Sequence, residues 1–203
     1  KNPQTMAPDI RQITFDPYFL GLGESSLNKN ELQKVTTSVV TLPAHKFLHL
    51  KNIGASDYFS FWALQEKLPG QDCDTIAGLL DSISQKLDSV TGKIGEFDGQ
   101  VGGWFFDENG RMGYVYGARL PAAYEGPLPK QMLCEDVPQR DYVAFSHPPF
   151  DYEKIWSSVY EAVEEAMESF DYKSLGQERD LSAFTYQIVS PEQYGYRVYV
   201  PIK

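Results

Sequence analysis

Two kinds of hydrophobic spacing follow one another along the chain, and the succession occurs twice. A Val- and Thr-rich run over 35–42 reads as a strand, and a second strand is predicted over 46–53. The stretch 54–73 fits neither spacing, although Tyr58-Phe59-Ser60-Phe61-Trp62 is too aromatic for an ordinary loop. After Leu68-Pro69-Gly70, the residues Ile76, Leu79, Leu80, Ile83 and Leu87 recur at helical intervals. They predict a helix over 74–89 with Asp74 as its N-cap. Strands are predicted over 97–106 and 112–120, joined by the hairpin signal Asp107-Glu108-Asn109-Gly110-Arg111. Pro121, Pro127 and Pro129 then make a stiff crossover. The second passage runs through strands over 131–137 and 141–147, a break at Pro148-Pro149, a helix over 151–170, and strands over 182–189 and 194–201. Ile155, Val159, Val163 and Phe170 form the inner side of that helix, and Glu161, Glu164, Glu165 and Glu168 lie mostly outside.

The two passages share wording as well as order. Leu42-Pro43-Ala44-His45 is answered by Val137-Pro138-Gln139-Arg140, and Gly113-Tyr114-Val115-Tyr116 by Gly195-Tyr196-Arg197-Val198-Tyr199. The expected fold class is α+β. It has two pseudo-symmetric ββαββ halves, over about 36–121 and 130–203, with a mainly antiparallel sheet and helices on one face. A cleft between two such halves is a natural ligand site. Residues 1–35, with Pro3, Pro8, Pro17 and a polar run after Gly23, read as a connecting arm docked through Phe15, Tyr18, Phe19, Leu20 and Leu22.

Composition narrows the function classes. The 203 residues carry a net charge of −10, which argues against this segment gripping nucleic acid itself. Cys73 and Cys134 are far apart and match no zinc or disulfide framework, so reduced thiols and a cytoplasmic setting are expected. No apolar run is long enough to span a membrane, and no signal peptide is evident. No dinucleotide fingerprint, phosphate loop or nucleophile elbow occurs, and no cofactor or metal is expected. What stands out is the aromatic content: 13 Tyr, 12 Phe and 3 Trp. Rings with polar tips suit a pocket for flat or cationic molecules as well as a core.

Trp62, Trp104 and Trp156 lead the candidate ligand contacts; core packing is the competing role for each. Tyr114, Tyr116, Tyr160 and Tyr196 follow, with Phe145. His147, at a strand end before two prolines, suits a polar pocket contact or polar packing. Asp72 and Glu96 are the weak candidates for a general base.

Tyr142-Val143-Ala144-Phe145-Ser146-His147, followed by Pro149-Phe150-Asp151-Tyr152, resembles a recurring phrase of the GyrI-like effector-binding domains. The ending Tyr194-Gly195-Tyr196-Arg197-Val198-Tyr199-Val200-Pro201-Ile202 resembles the family's last strand. Gln65 to Ile76 and Asp107 to Arg111 are similar to a subgroup attached to AraC-type DNA-binding regions. The resemblance covers residues 36–203. It implies a two-fold pseudo-symmetric fold that binds flat, hydrophobic, often multidrug-like molecules between its halves. It also implies transcription regulation, with DNA bound only through a region absent from this chain, and a possible homodimer. Other members hydrolyse cyclopropane-type DNA alkylators or bind a protein partner, so a hydrolase and a protein-interaction module stay open as alternatives. Arg197 stands where many members carry a pocket-facing Glu, so this chain departs from the family at that position.

Overall fold

In the computed structural model, residues 29–90 and 100–203 are described. A short helix α1 (Lys29–Leu32) leads into β1 (Thr36–Leu42) and β2 (His45–Asn52), then α2 (Tyr58–Gln65) and α3 (Cys73–Val90), then β3 (Gln100–Phe106) and β4 (Met112–Pro121). The second half contains β5 (Leu133–Val137), β6 (Arg140–His147), α4 (Tyr152–Ser169), a 3-10 turn over Tyr172–Leu175, β7 (Thr185–Ser190) and β8 (Gly195–Pro201). The fold is α+β, as expected, and the strand and long-helix boundaries fall within a few residues of those read from the hydrophobic pattern.

All eight strands form one antiparallel sheet in the order β1-β6-β8-β7-β3-β4-β2-β5. Exchanging the two halves reverses that order and leaves it otherwise unchanged, so a pseudo-two-fold axis passes between β3 and β7. There Gly102 lies opposite Gln187. These two residues occupy the same place in their own halves, because Gly102 pairs with Tyr116 and Gln187 with Val198, each three residues beyond the matching glycines Gly113 and Gly195. The axis therefore runs through the Gly102–Gln187 pair.

Each half keeps its helices between its second and third strands, two in the first half (α2 and α3) and α4 in the second, but its first strand is handed to the other half. β1 pairs with β6, and β5 pairs with β2. The Leu42-Pro43-Ala44-His45 and Val137-Pro138-Gln139-Arg140 phrases are the corners where the chain crosses instead of folding back. A residue before proline is held extended, and the corner continues in that direction.

Two corrections concern helices. The stretch before the first predicted helix contains α2, which carries Trp62. Asp57 starts it with a capping box, its carboxylate accepting from the backbone N–H of Phe59 and of Ser60 at 2.9 Å each. The cap of α3 is Asp72, not Asp74: its carboxylate accepts from the Thr75 N–H at 2.9 Å and the Thr75 hydroxyl at 2.8 Å.

The sheet has a core on each face. Leu48, Leu50, Val143, Phe145, Val198 and Val200 pack with Phe61, Ile76, Leu80, Val159 and Val163 on the helix-bearing face. Phe47, Val101, Val115, Tyr142, Ala144, Tyr186 and Tyr199 form the second core on the opposite face. Among the described residues, no helix is long and apolar enough to cross a membrane, and no cluster of His, Cys, Asp and Glu is placed to hold a metal ion.

Candidate functional site

The helix-bearing face brings rings from both halves together. Tyr58 and Trp62 stand at i and i+4 on α2, one above the other. Tyr152, Trp156 and Tyr160 repeat that spacing on α4 and continue into Glu164 and Glu168. The start of each helix reads the same way: Asp57-Tyr58-x-x-Phe61-Trp62 and Asp151-Tyr152-x-x-Ile155-Trp156. This repetition is the sequence signal that could have found α2.

On the first side, Trp62 meets Tyr116 edge-on at 5.1 Å between ring centroids, and Tyr58 meets Tyr116 at 5.7 Å. On the second, Trp156 stacks with Tyr152 at 5.0 Å and meets Tyr196 edge-on at 5.2 Å, and Tyr160 stacks with Tyr196 at 6.0 Å. Tyr114 and Tyr196 are buried beneath these rings on equivalent strands. Gln187, near the axis, ties them together: the Tyr114 hydroxyl donates to its Oε1 at 2.6 Å, and its Nε2 donates to the Tyr196 hydroxyl at 2.8 Å. Gly102 makes this possible. A Cβ there would lie 2.1 Å from the Tyr114 hydroxyl oxygen, so the axis has room for one side chain and Gln187 takes it.

Trp104 is a positioning residue at the edge of this cluster. Its Nε1 donates to the Ser56 carbonyl at 2.9 Å, and its ring packs edge-on against Tyr114 at 5.7 Å. It thereby pins the segment that enters α2. The Trp62 indole N–H is buried without a hydrogen-bond acceptor, although the Tyr58 hydroxyl lies close enough to be influenced by it.

The floor of the site is filled, with Phe61, Tyr114 and Tyr196 fully buried. The rim is partly buried and consists of Tyr58, Tyr116, Tyr152, Trp156 and Tyr160, with Tyr116 the most enclosed. Two surface depressions, of about 390 and 310 Å³, lie elsewhere, the first at Arg140 and Lys203 and the second at Lys34 and Arg197. The rim rings are in contact with their neighbours, so a guest among them replaces ring–ring contacts.

The electrostatics are acidic. Burial pushes the hydroxyls of Tyr58, Tyr116 and Tyr196 well above their ordinary range and that of Tyr160 up to about 12, so all stay neutral donors. Burial, then the neighbouring Glu168, raises the Glu164 carboxyl, with Arg179 opposing. The charge of Glu164 is felt at both Tyr160 and Tyr196, and that of Asp57 at Tyr160. Burial pushes the Asp57 carboxyl up, but the Ser60 N–H, the Ser56 and Ser60 hydroxyls and the Phe59 N–H outweigh it and hold the group below its usual value.

The remaining candidates lie apart from this cluster. Phe145 is buried beneath α4, edge-on to Phe170 at 5.4 Å. His147 is buried at the end of β6, with Nδ1 2.8 Å from the Pro148 carbonyl and Nε2 3.0 Å from Glu31, so it ties α1 to the end of β6, whereas Phe15, Tyr18, Phe19, Leu20 and Leu22 of the expected arm lie outside the described residues. Arg197 alternates with Tyr196 and Val198 and projects from the opposite face, its guanidinium over the Tyr194 ring at 5.5 Å. Asp72 has its carboxyl lowered by the Thr75 N–H and hydroxyl, the reverse of what a general base near neutral pH requires. Glu96 lies outside the described residues. Sequence reasoning missed Tyr58, Tyr152, Glu164 and Gln187. Glu164 was assigned to a solvated charge run, and Gln187 owes its position to the axis.

No family model matches the chain, and no curated protein matches it. Among solved structures it is similar to a hydrolase from Listeria innocua, at 12% identity over 83% of this chain and 92% of that one, with a TM-score of 0.41. It is similar to SAV2435 bound to tetraphenylphosphonium, at 14% identity over 83% of this chain and 94% of that one, with a TM-score of 0.45. It is also similar to the C-terminal domain of EcmrR, at 12% identity over 83% of this chain and 98% of that one, with a TM-score of 0.44. The phrases that resemble GyrI-like effector-binding domains fall on β6, on the turn into α4 and on β8.

Proposed function

We propose that the protein is a GyrI-like effector-binding domain, of the kind attached to AraC-type transcription regulators. Its ring face takes a flat or propeller-shaped hydrophobic molecule, preferably a cation. The observation that carries this reading is the convergence of partly buried rings from both halves, Tyr58, Tyr116, Tyr152, Trp156 and Tyr160, with Glu164 on the same α4 stripe. Rings supply apolar area and the negative face of their quadrupole, and a partly desolvated carboxylate adds a charge partner. The buried Trp62 N–H gains an acceptor if a polar atom of the guest reaches it. A ligand here regulates only if it prefers one arrangement of the rings, or of α1 against β6, over another. The hydrolytic alternative has less support, because Asp72 is a helix cap and His147 is fastened to Glu31.

Two ions of one shape and opposite charge test the reading. Tetraphenylphosphonium is expected to quench tryptophan emission and to bind at least about tenfold more tightly than tetraphenylborate, the difference a modest carboxylate–cation attraction supplies. Trp156→Ala should weaken the cation at least about tenfold, and Glu164→Gln should remove most of the preference between the ions. Equal binding of both ions removes the cation preference, and no quenching by either removes the site.

A further inference from the structure

The two outer strands of the sheet occupy equivalent positions and are differently guarded. β5 has five residues and carries Glu135 and Asp136. Glu135 is paired with Lys51 at 2.9 Å. β1 has seven residues, Thr36-Thr37-Ser38-Val39-Val40-Thr41-Leu42, and no charge. Among the described residues it pairs with β6 alone, and Val39 at its midpoint is 52% exposed. A long edge of β-forming residues, without the Lys, Pro or bulge that normally protects one, is a template for another strand.

From this edge, unpaired among the described residues, and its self-complementary sequence, we infer that β1 pairs antiparallel with β1 of a second copy, joining two eight-stranded sheets into one. The two-fold axis lies at Val39. Val39 then faces the partner's Val39, Thr37 faces the partner's Thr41 on the same sheet face, and Ser38 faces the partner's Val40 on the other. Each of these central pairs is β-branched or hydroxyl-bearing, the combinations that stabilise antiparallel pairs, and Thr36 faces the partner's Leu42 at the ends. Immediately beyond the strand, Lys34 meets the partner's Ala44, so the pairing sets no like charges face to face even though each chain carries a net charge of −10. The same operation at β5 would set Glu135 against the partner's Glu135, which like-charge repulsion opposes. A second copy therefore fits β1, and this isologous pairing closes at two chains.

Sedimentation equilibrium of the full chain from about 1 μM to several hundred μM tests the pairing, the range suited to a small interface. A mass of twice 23.0 kDa is expected at the upper end. Val39→Lys should weaken the dimer at least about 100-fold by placing two ammonium groups together, with an unchanged circular dichroism spectrum because the side chain is exposed. In a Cys134→Ser background, Val39→Cys should form an interchain disulfide under mild oxidation, since directly opposed residues lie within disulfide reach, whereas Ser38→Cys should not. A monomer at every concentration overturns the inference. So does a dimer that survives Val39→Lys, or one that cross-links equally through position 38. A full chain that stays monomeric but dimerises once residues 1–28 are deleted makes that segment the occupant of the edge, and overturns the second-copy assignment.

Discussion

At the scale of single residues, the pseudo-symmetry is broken where it would otherwise fail. A two-fold axis through a side-chain pair asks two residues to share one space. Here Gly102 gives up its side chain, and Gln187 serves the two equivalent tyrosines, Tyr114 and Tyr196, through its carbonyl and amide ends. Gln187→Leu would keep the volume and leave two buried hydroxyls with less than they now have. It should cost about 2–4 kcal/mol, read as a lower denaturant midpoint with an unchanged slope. On the opposite face His45 sets a pH limit. Its Nδ1–H donates to the Pro43 carbonyl at 2.9 Å, and its Nε2 accepts from the Tyr186 hydroxyl at 2.7 Å, an arrangement that requires the neutral ring. Burial, then the Arg119 charge, lowers its pKa from 6.5 to about 4. Between those values the unfolded chain binds a proton that the fold refuses, so stability falls as the pH drops through the window. The loss should approach ~3 kcal/mol, with His49, lowered mainly by its own burial, adding in the same direction. Guanidinium unfolding at pH 7, 5.5 and 4.5 measures the slope. His45→Asn should be less stable at pH 7 and less steep below it, and an unchanged slope would remove His45 as the cause.

At the scale of elements, α2 shows what a hydrophobic pattern can and cannot reveal. The long helices α3 and α4 were legible because each has one buried face at whose period apolar positions recur, and the strands because β-branched and aromatic runs end at turn residues, although the central ones are buried on both faces. α2 is short and apolar on nearly every side, with Phe61 and Trp62 buried and Phe59 exposed, so no period emerges. Its caps and its kinship with the start of α4 are the readable signals. The same limit hid part of the site. The tryptophans were legible as unusual residues, but which tyrosines share their face depends on helix phase and strand register. Arg197 was placed by its neighbours in sequence, yet strand alternation turns it to the other face from Tyr196. Because α2 is only eight residues long, its stability rests on its cap and its packing more than on helix propensity. Asp57→Ala removes both capping bonds and should cost about 1–2 kcal/mol. Since Tyr58 and Trp62 ride on that helix, it should also weaken tetraphenylphosphonium while leaving the Trp156 side of the site intact. Comparing the fluorescence titration with that of Asp151→Ala, which removes an ion pair with Lys154 at the start of α4, shows whether the loss is specific to the α2 side of the site.

At the scale of the whole molecule, the strand exchange decides how the halves depend on each other. The X-Pro corners look the same in sequence whether the chain turns back or crosses over, so the repeat predicted two similar units without showing that they interlock. In the folded protein each half lends its first strand to the other, through β1 with β6 and β5 with β2, and the two also meet at β3 and β7. A half alone would keep a sheet with its second strand bare on one side and its loaned strand without a partner. Leu42, Val137 and Val101 of the second core would lose cover along with that pairing. The chain therefore should unfold in one cooperative step, and a fragment of residues 29–125 or 126–203 should not fold independently. Circular dichroism and amide proton dispersion on each fragment would read this directly. Mixing the two should restore the native spectrum and the tetraphenylphosphonium response together, because the ring face draws on both. A fragment that folds alone with dispersed resonances would show that exchange adds stability without being required, and the halves would then have to be regarded as separable domains.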